Sequence, residues 1–133
     1  MNWKKLTRVL IVVVLLLDLG QIILDALLIP GANGDLGMLL GWNGYGSLYQ
    51  PSAALYYGYF LAEALLLWLI WIEVRVGLIA YCIFVAFFAL LSIFGGVIVS
   101  LPPQVFVATL NSLATGALLV AAIQSRWERS TTV

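Results

Sequence analysis

One long apolar stretch near the start of the chain, from Leu6 to Leu28, also carries three polar side chains. It is long enough to cross a bilayer as a helix, which takes about 20 residues. At about 100° per residue, Asp18, Gln21 and Asp25 fall on one narrow face of that helix. A carboxylate in hydrocarbon costs roughly 3 kcal/mol on insertion scales, so the rest of the chain must supply a polar interior. The stretch therefore predicts a transmembrane helix with one polar face turned into a bundle.

The composition agrees with a membrane environment. Of 133 residues, 64% are hydrophobic and only 9% are charged, whereas soluble domains carry about 25% charged residues. Six basic residues balance six acidic ones, so there is no basic patch that would indicate nucleic-acid binding. The sequence has no His, which removes the commonest metal ligand and neutral-pH general base. We therefore predict an integral membrane protein.

Hydropathy divides the chain into four apolar segments, each near the length of one bilayer crossing. Their approximate bounds are 6–29, 53–72, 76–99 and 105–123, joined by a long loop at 30–52 and followed by a polar tail at 124–133. The predicted fold is all-α: a four-helix membrane bundle forming one four-span transmembrane domain over residues 1–133. Short second and third connections favour antiparallel packing of neighbouring segments.

The basic residues predict the orientation of these spans. All six lie near the termini or at the junction of the second and third segments: Lys4, Lys5, Arg8, Arg75, Arg126 and Arg129. The positive-inside rule therefore predicts that both termini are cytoplasmic and that the long loop is extracytoplasmic. The expected location is the plasma membrane, which is the inner membrane of a bacterium.

Three polar residues on different segments are predicted to lie at the same depth in the membrane. Asp18, Glu63 and Thr115 are each about 15–18 Å from a basic anchor at 1.5 Å per residue. That depth is close to the middle of a ~30 Å hydrocarbon core. Helical spacing places further polar groups on the same faces, which predicts a polar track from the outer side down to an Asp18/Glu63 pair. The predicted ion- or ligand-binding residues are Asp18, Glu63, Asp25, Gln21, Tyr59, Asn111 and Thr115.

No basic residue lies inside any span, so the buried acids must be protonated or must hold a bound cation. This favours a transporter-like or binding protein for a proton, a cation or a cationic amphiphile. The structural alternative is that protonated Asp18 and Glu63 hydrogen-bond to Asn111, Thr115 or each other and only fix the helix register.

Two other functions remain open from the sequence. The alternative is a non-catalytic accessory subunit of a larger membrane complex. The chain is also compatible with a lipid- or quinone-binding module that uses the 30–52 loop as a lid through Trp42 and Tyr45. The expected partners are the bilayer, a second copy or a larger membrane complex, and an apolar or cationic small ligand. A dimer is expected if the protein transports, because four helices enclose little volume.

Enzyme chemistry finds no support in the motifs. The chain has no Cys/His or Ser/His/Asp set, no phosphate loop and no CxxC pair. We therefore predict a protein that is not an enzyme, with no cofactor and no metal site.

In size, in four-span layout and in having an acid, Asp18, central in the first helix, the chain resembles the small multidrug-resistance transporters. In outline it also resembles the small DoxX-like four-helix membrane proteins. It departs from the transporters in its long first connection and in the second acid, Glu63. The likeness rests on layout and on no sequence motif, and membership of neither family is inferred.

Overall fold

The structure is a computed structural model that describes residues 2–28, 53–92 and 102–130. Within these ranges the chain is helical apart from short junctions, and no strand is present, which confirms the predicted all-helical class. The predicted loop at 30–52, including Trp42 and Tyr45, lies outside the described residues. The four helices are α1 (Trp3–Leu28), α2 (Ala53–Trp71), α3 (Arg75–Leu91) and α4 (Pro102–Ser130).

The last helix is longer than the apolar segment from which it was predicted. α4 begins at Pro102, before the predicted start near residue 105. Proline is well tolerated in the first turn of a helix, because the backbone N–H that it lacks would have no partner there. At its other end α4 continues to Ser130, so most of the predicted polar tail is helical.

Successive helices run in opposite directions and pack as two close pairs. α1 packs most extensively against α4, and α2 packs against α3. Contacts between the pairs, α1 with α2 and α3 with α4, are fewer. The two pairs thus form an up-and-down bundle in which the first and last helices are the closest partners.

The reversal between α2 and α3 is a tight Schellman-type ending. The Val74 N–H donates to the Leu69 carbonyl, and the Glu73 N–H donates to the Ile70 carbonyl, both at 3.0 Å. Glu73 has a φ of 67°, the left-handed conformation in which glycine is usual. Its side chain forms ion pairs with Lys4 and Arg8 of α1. The turn therefore also ties α1 to the α2–α3 hairpin.

Gly77 permits the close approach of α2 and α3 beside that turn. A Cβ atom added at this position would lie 2.7 Å from Leu69 Cβ and 3.0 Å from the Leu69 backbone carbon. No side chain fits without moving the helices apart. The small residue at the start of α3 therefore sets the spacing of the hairpin.

The buried core is narrow, and most large apolar side chains face outward. The core side chains come from all four helices and include Val14, Leu67, Tyr81 and Leu118, each 0% exposed. α1 and α4 contain stretches long and apolar enough to cross a membrane, Trp3–Leu27 and Pro102–Arg126, of which only 17% and 22% are buried. A core helix of a soluble protein would be mostly buried. Tyr57–Trp71 and Arg75–Leu91 are shorter apolar helices.

Candidate functional site

The α1–α4 contact forms a seam that changes character along its length. On α1 the seam positions recur at alternating intervals of four and three residues: Thr7, Ile11, Val14, Asp18, Gln21 and Asp25. This spacing keeps side chains on one face of a helix that packs against a near-parallel or antiparallel partner. The half with Thr7, Ile11 and Val14 is called the apolar half of the seam. The half from Asp18 to Asp25 is called the polar half.

Asp18 meets Asn111 at the start of the polar half. The Asn111 Nδ2 donates to Asp18 Oδ1 at 2.6 Å, and the Asp18 side chain is only 6% exposed. Carboxylates are almost never buried to this extent without a partner. The bond joins α1 to α4, which is the helix that packs most extensively against α1.

Glu63 of α2 is buried at the same level, and α3 supplies its hydrogen-bond donor. Only 3% of Glu63 is exposed, and the Tyr81 hydroxyl donates to its Oε1 at 3.0 Å. The Tyr81 hydroxyl in turn interacts with Thr115 of α4. Tyr81 of α3 therefore links Thr115 of α4 to the carboxyl on α2.

The two carboxyl groups lie close enough to interact electrostatically. Tyr59 also interacts with Glu63 through its hydroxyl. The Tyr59 ring stacks on Phe84 at a centroid distance of 5.1 Å and meets Phe88 edge-on at 4.5 Å. The acid pair is thus contacted by amide and hydroxyl groups, and one of the hydroxyl groups belongs to an aromatic cluster of Tyr59, Phe84 and Phe88.

A second polar cluster lies further along the same seam. Gln21 and Gln104 both donate to Asp25 Oδ1, each at 2.9 Å. Asp25 is seven residues beyond Asp18 on α1, and Gln104 is seven residues before Asn111 on α4. The cluster therefore lies about 10 Å from the acid pair along the helices. Together the two clusters make the polar half of the seam continuous.

Three buried oxygen acceptors in this region lack a well-formed hydrogen bond among the described residues. They are Gln21 Oε1, Glu63 Oε2 and Asn111 Oδ1. A buried acceptor without a donor costs about 1–3 kcal/mol, so native structures contain few of them. All three are acceptors, and a proton, a water molecule or a cation is the kind of group that satisfies them.

The structure brings most of the predicted site residues together. Asp18 and Glu63 form the pair, Asn111 and Tyr59 contact one acid each, and Thr115 reaches Glu63 through Tyr81. Gln21 and Asp25 form the second cluster with Gln104. The predicted lid residues, Trp42 and Tyr45, lie outside the described residues.

Tyr81 is the site residue that sequence reasoning missed. It stands in an otherwise apolar run of α3 and shares no polar stripe. The signal that would have found it is its distance from the turn, since Glu63 and Tyr81 lie ten residues before and eight residues after Glu73. Two antiparallel helices joined by a tight turn bring such positions to the same level.

The oxygen atoms of this site suit a proton or a hard cation better than a transition metal. No group of three or more His, Cys, Asp or Glu side chains able to hold a metal ion occurs among the described residues. Two carboxyl groups with amide and hydroxyl oxygens are hard ligands. Such a set can take a proton on a carboxyl or bind a hard cation through its oxygens.

Comparisons with known proteins give no further guide to the site. The chain matches no protein-family model, no curated protein and no solved structure. Its function therefore has to be argued from the geometry of its own residues.

Proposed function

We propose that this chain is a small polytopic membrane protein whose Asp18/Glu63 pair binds a proton, a cation or a cationic amphiphile arriving from the outer side. The observation that carries the proposal is the pair of buried carboxyl groups beside buried acceptor oxygens that lack a well-formed hydrogen bond among the described residues. The sequence places no Lys, Arg or His inside the helices at this level. A bound positive charge is therefore the missing counterpart.

The proposed topology has four membrane spans with both termini in the cytoplasm. The large apolar side chains exposed on every helix support it, because soluble monomers rarely expose apolar surface of this extent. α2 and α3 contain 19 and 17 residues, or about 26–29 Å of helix, close to the thickness of the hydrocarbon core. All basic residues of the sequence lie near one end of the bundle, which becomes the cytoplasmic end.

Polar groups on the exposed face of α4 are compatible with lipid. The hydroxyls of Thr109 and Ser112 donate to the carbonyl oxygens of Val105 and Ala108, four residues earlier in the same helix. A hydroxyl that bonds within its own helix leaves no unmet donor to face hydrocarbon. These positions therefore do not need water.

The surroundings of Asp18 support a proposal in which its carboxyl group changes protonation state when the ligand binds. The Asn111 amide offers a donor or an acceptor, depending on which end faces Asp18. In the present orientation it donates to a carboxylate oxygen, and after a 180° rotation it would accept from a protonated carboxyl. The same site can therefore hold Asp18 in either protonation state without a large backbone movement.

The aromatic cluster supports the cationic amphiphile among the candidate ligands. Tyr59 interacts with Glu63, and its ring packs against Phe84 and Phe88. Aromatic faces attract organic cations, and the carboxyl group supplies the compensating charge. A ligand with a positive group and an apolar body would match both parts.

The test is infrared difference spectroscopy of the purified protein, comparing wild type with Asp18→Asn and Glu63→Gln. We expect the carboxyl bands of wild type to respond to pH, to Na⁺ or to tetraphenylphosphonium. Each substitution should remove its own band and weaken the response of the other. Glu73→Gln is the matched control, because it removes a carboxyl in the α2–α3 turn, at the basic end of the bundle, and should leave the response intact. A wild-type spectrum that responds to none of these additions would overturn the proposal.

A second candidate is a non-catalytic subunit of a larger membrane complex. The observation that favours it is that each buried acid already accepts a hydrogen bond from another helix, from Asn111 and from Tyr81. Such bonds fix helix register and contribute about 0.6 kcal/mol each in membrane proteins. Under this proposal Asp18→Asn is nearly silent in every ligand assay, and the protein co-purifies with a partner on which its stability depends.

A further inference from the structure

The basic end of the bundle contains a half-open cavity that the acid pair does not use. The cavity has a volume of about 20 Å³, room for roughly one water-sized group. Three parts of the chain line it: the start of α1, the α2–α3 turn and the end of α4. The lining residues relevant here are Lys4, Thr7, Arg8, Glu73, Ser125 and Arg126.

Positive charge exceeds negative charge around this cavity. Lys4 and Arg8 share one carboxylate, Glu73, with Arg8 Nη2 at 3.8 Å from Glu73 Oε1. Arg126 also lines the cavity. Over the whole sequence this end of the bundle carries all six basic residues and only two acidic ones, Glu73 and Glu128. The local field therefore favours an anion.

Arg8 offers a donor that no described residue uses. Its Nε is buried and has no hydrogen-bond partner there. Its guanidinium lies over the Trp71 ring at 5.2 Å from the centroid, which fixes the plane in which the N–H groups point. A guanidinium edge with an unmet N–H matches the oxygen atoms of phosphate and similar oxyanions.

The rest of the cavity is held in place by bonds to the backbone. Arg126 donates to the carbonyl oxygens of Val74 and Arg75, at 2.8 and 3.1 Å. Thr7 is buried and donates to the Trp3 carbonyl at 2.8 Å. The cationic groups are therefore positioned before any ligand arrives, which lowers the entropy cost of binding.

We infer that this cavity and its open mouth bind a phosphate group, with one oxygen inside the cavity contacting Arg8 Nε and with Lys4 and Arg126 supplying positive charge. The phosphate can belong to the headgroup of an anionic phospholipid or to a soluble phosphate. The lipid source rests on the membrane insertion proposed above. Phosphate binding itself does not depend on the Asp18/Glu63 pair, so Asp18→Asn should leave it unchanged.

The experiment measures binding to the purified full chain in maltoside micelles, with three probes: short-chain phosphatidic acid, short-chain phosphatidylcholine and inorganic phosphate. We expect phosphatidic acid to bind about tenfold more tightly than phosphatidylcholine. If inorganic phosphate competes at similar concentrations, the phosphate alone is recognised. If it does not compete, the lipid headgroup is the ligand. Equal affinity for the two lipids would overturn the inference.

The variants separate a specific contact from general attraction by charge. Arg8→Gln should weaken binding about tenfold. Arg8→Lys should weaken it nearly as much, because it keeps the charge but lacks the Nε donor. Lys5→Gln is the matched control, since Lys5 is exposed and does not line the cavity, and it should change binding by less than about twofold. Equal losses in Arg8→Gln and Lys5→Gln would contradict the inference, provided that both variants melt at wild-type temperature.

Discussion

The two halves of the α1–α4 seam have the same geometry and opposite chemistry. In the apolar half, Ile11 and Val14 are buried with Leu118 of α4. In the polar half, the same spacing places Asp18 against Asn111 and Asp25 against Gln104. The apolar half accounts for the packing of the two helices. The polar half adds buried groups that packing does not require, and some of them keep an oxygen atom without a hydrogen bond among the described residues, which is typical of a functional site.

The largest expected effect tests the apolar half. Leu118 is 0% exposed, whereas Leu113 on the same helix is 66% exposed. We expect Leu118→Ala to lower the free energy of unfolding by about 2–4 kcal/mol, because it leaves a cavity in a close-packed seam. Leu113→Ala should cost less than about 1 kcal/mol, since lipid replaces the lost contacts. Unfolding of both variants in mixed micelles measures the difference, and equal losses would mean that the seam is not the stabilising contact.

A double-mutant cycle tests the polar half. Asn111→Leu should lower the free energy of unfolding by about 1–2 kcal/mol, because Asp18 loses its donor. Asp18→Leu should have a similar cost, because the Asn111 amide is then left without its partner. The double variant should return to within about 1 kcal/mol of wild type, as replacing a buried polar pair by apolar residues often does.

The same double variant should lose the Asp18 carboxyl band, and its Glu63 band should respond more weakly to Na⁺ or tetraphenylphosphonium. A double variant with the summed loss of both single variants would mean that Asp18 and Asn111 do not stabilise each other. An unchanged infrared response of the Glu63 band would favour the accessory-subunit proposal.

The smallest expected effect concerns the link from α3. Tyr81→Phe removes the hydroxyl that donates to Glu63, and we expect a loss of about 1 kcal/mol in the free energy of unfolding. The Glu63 carboxyl band should also shift in the infrared spectrum. Tyr57→Phe is the control, because Tyr57 is 61% exposed, and it should leave the band unchanged. An unshifted band in Tyr81→Phe would show that Tyr81 does not position Glu63.

Much of the candidate site could be predicted by counting residues along single helices. Asp18, Gln21 and Asp25 share a face because helical periodicity is a local property of the chain. The common depth of Asp18 and Glu63 followed from their distance to basic residues. Counting residues could not predict the hydrogen-bond partner of each acid. Asn111 donates to Asp18 and Tyr81 donates to Glu63, and in both cases the donor lies on a different helix from the acid.

The sequence by itself determined the helical class, the apolar faces and the gathering of all basic residues at one end. These properties depend on composition and on a repeat of 3.6 residues, which neighbouring residues fix. Only the tertiary structure decided that α1 packs chiefly against α4 and that Tyr81 joins Thr115 to Glu63. It also decided that the buried Arg8 Nε has no hydrogen-bond partner among the described residues. The physical reason is that helix register depends on the close packing of many side chains at once, including the contact that Gly77 allows.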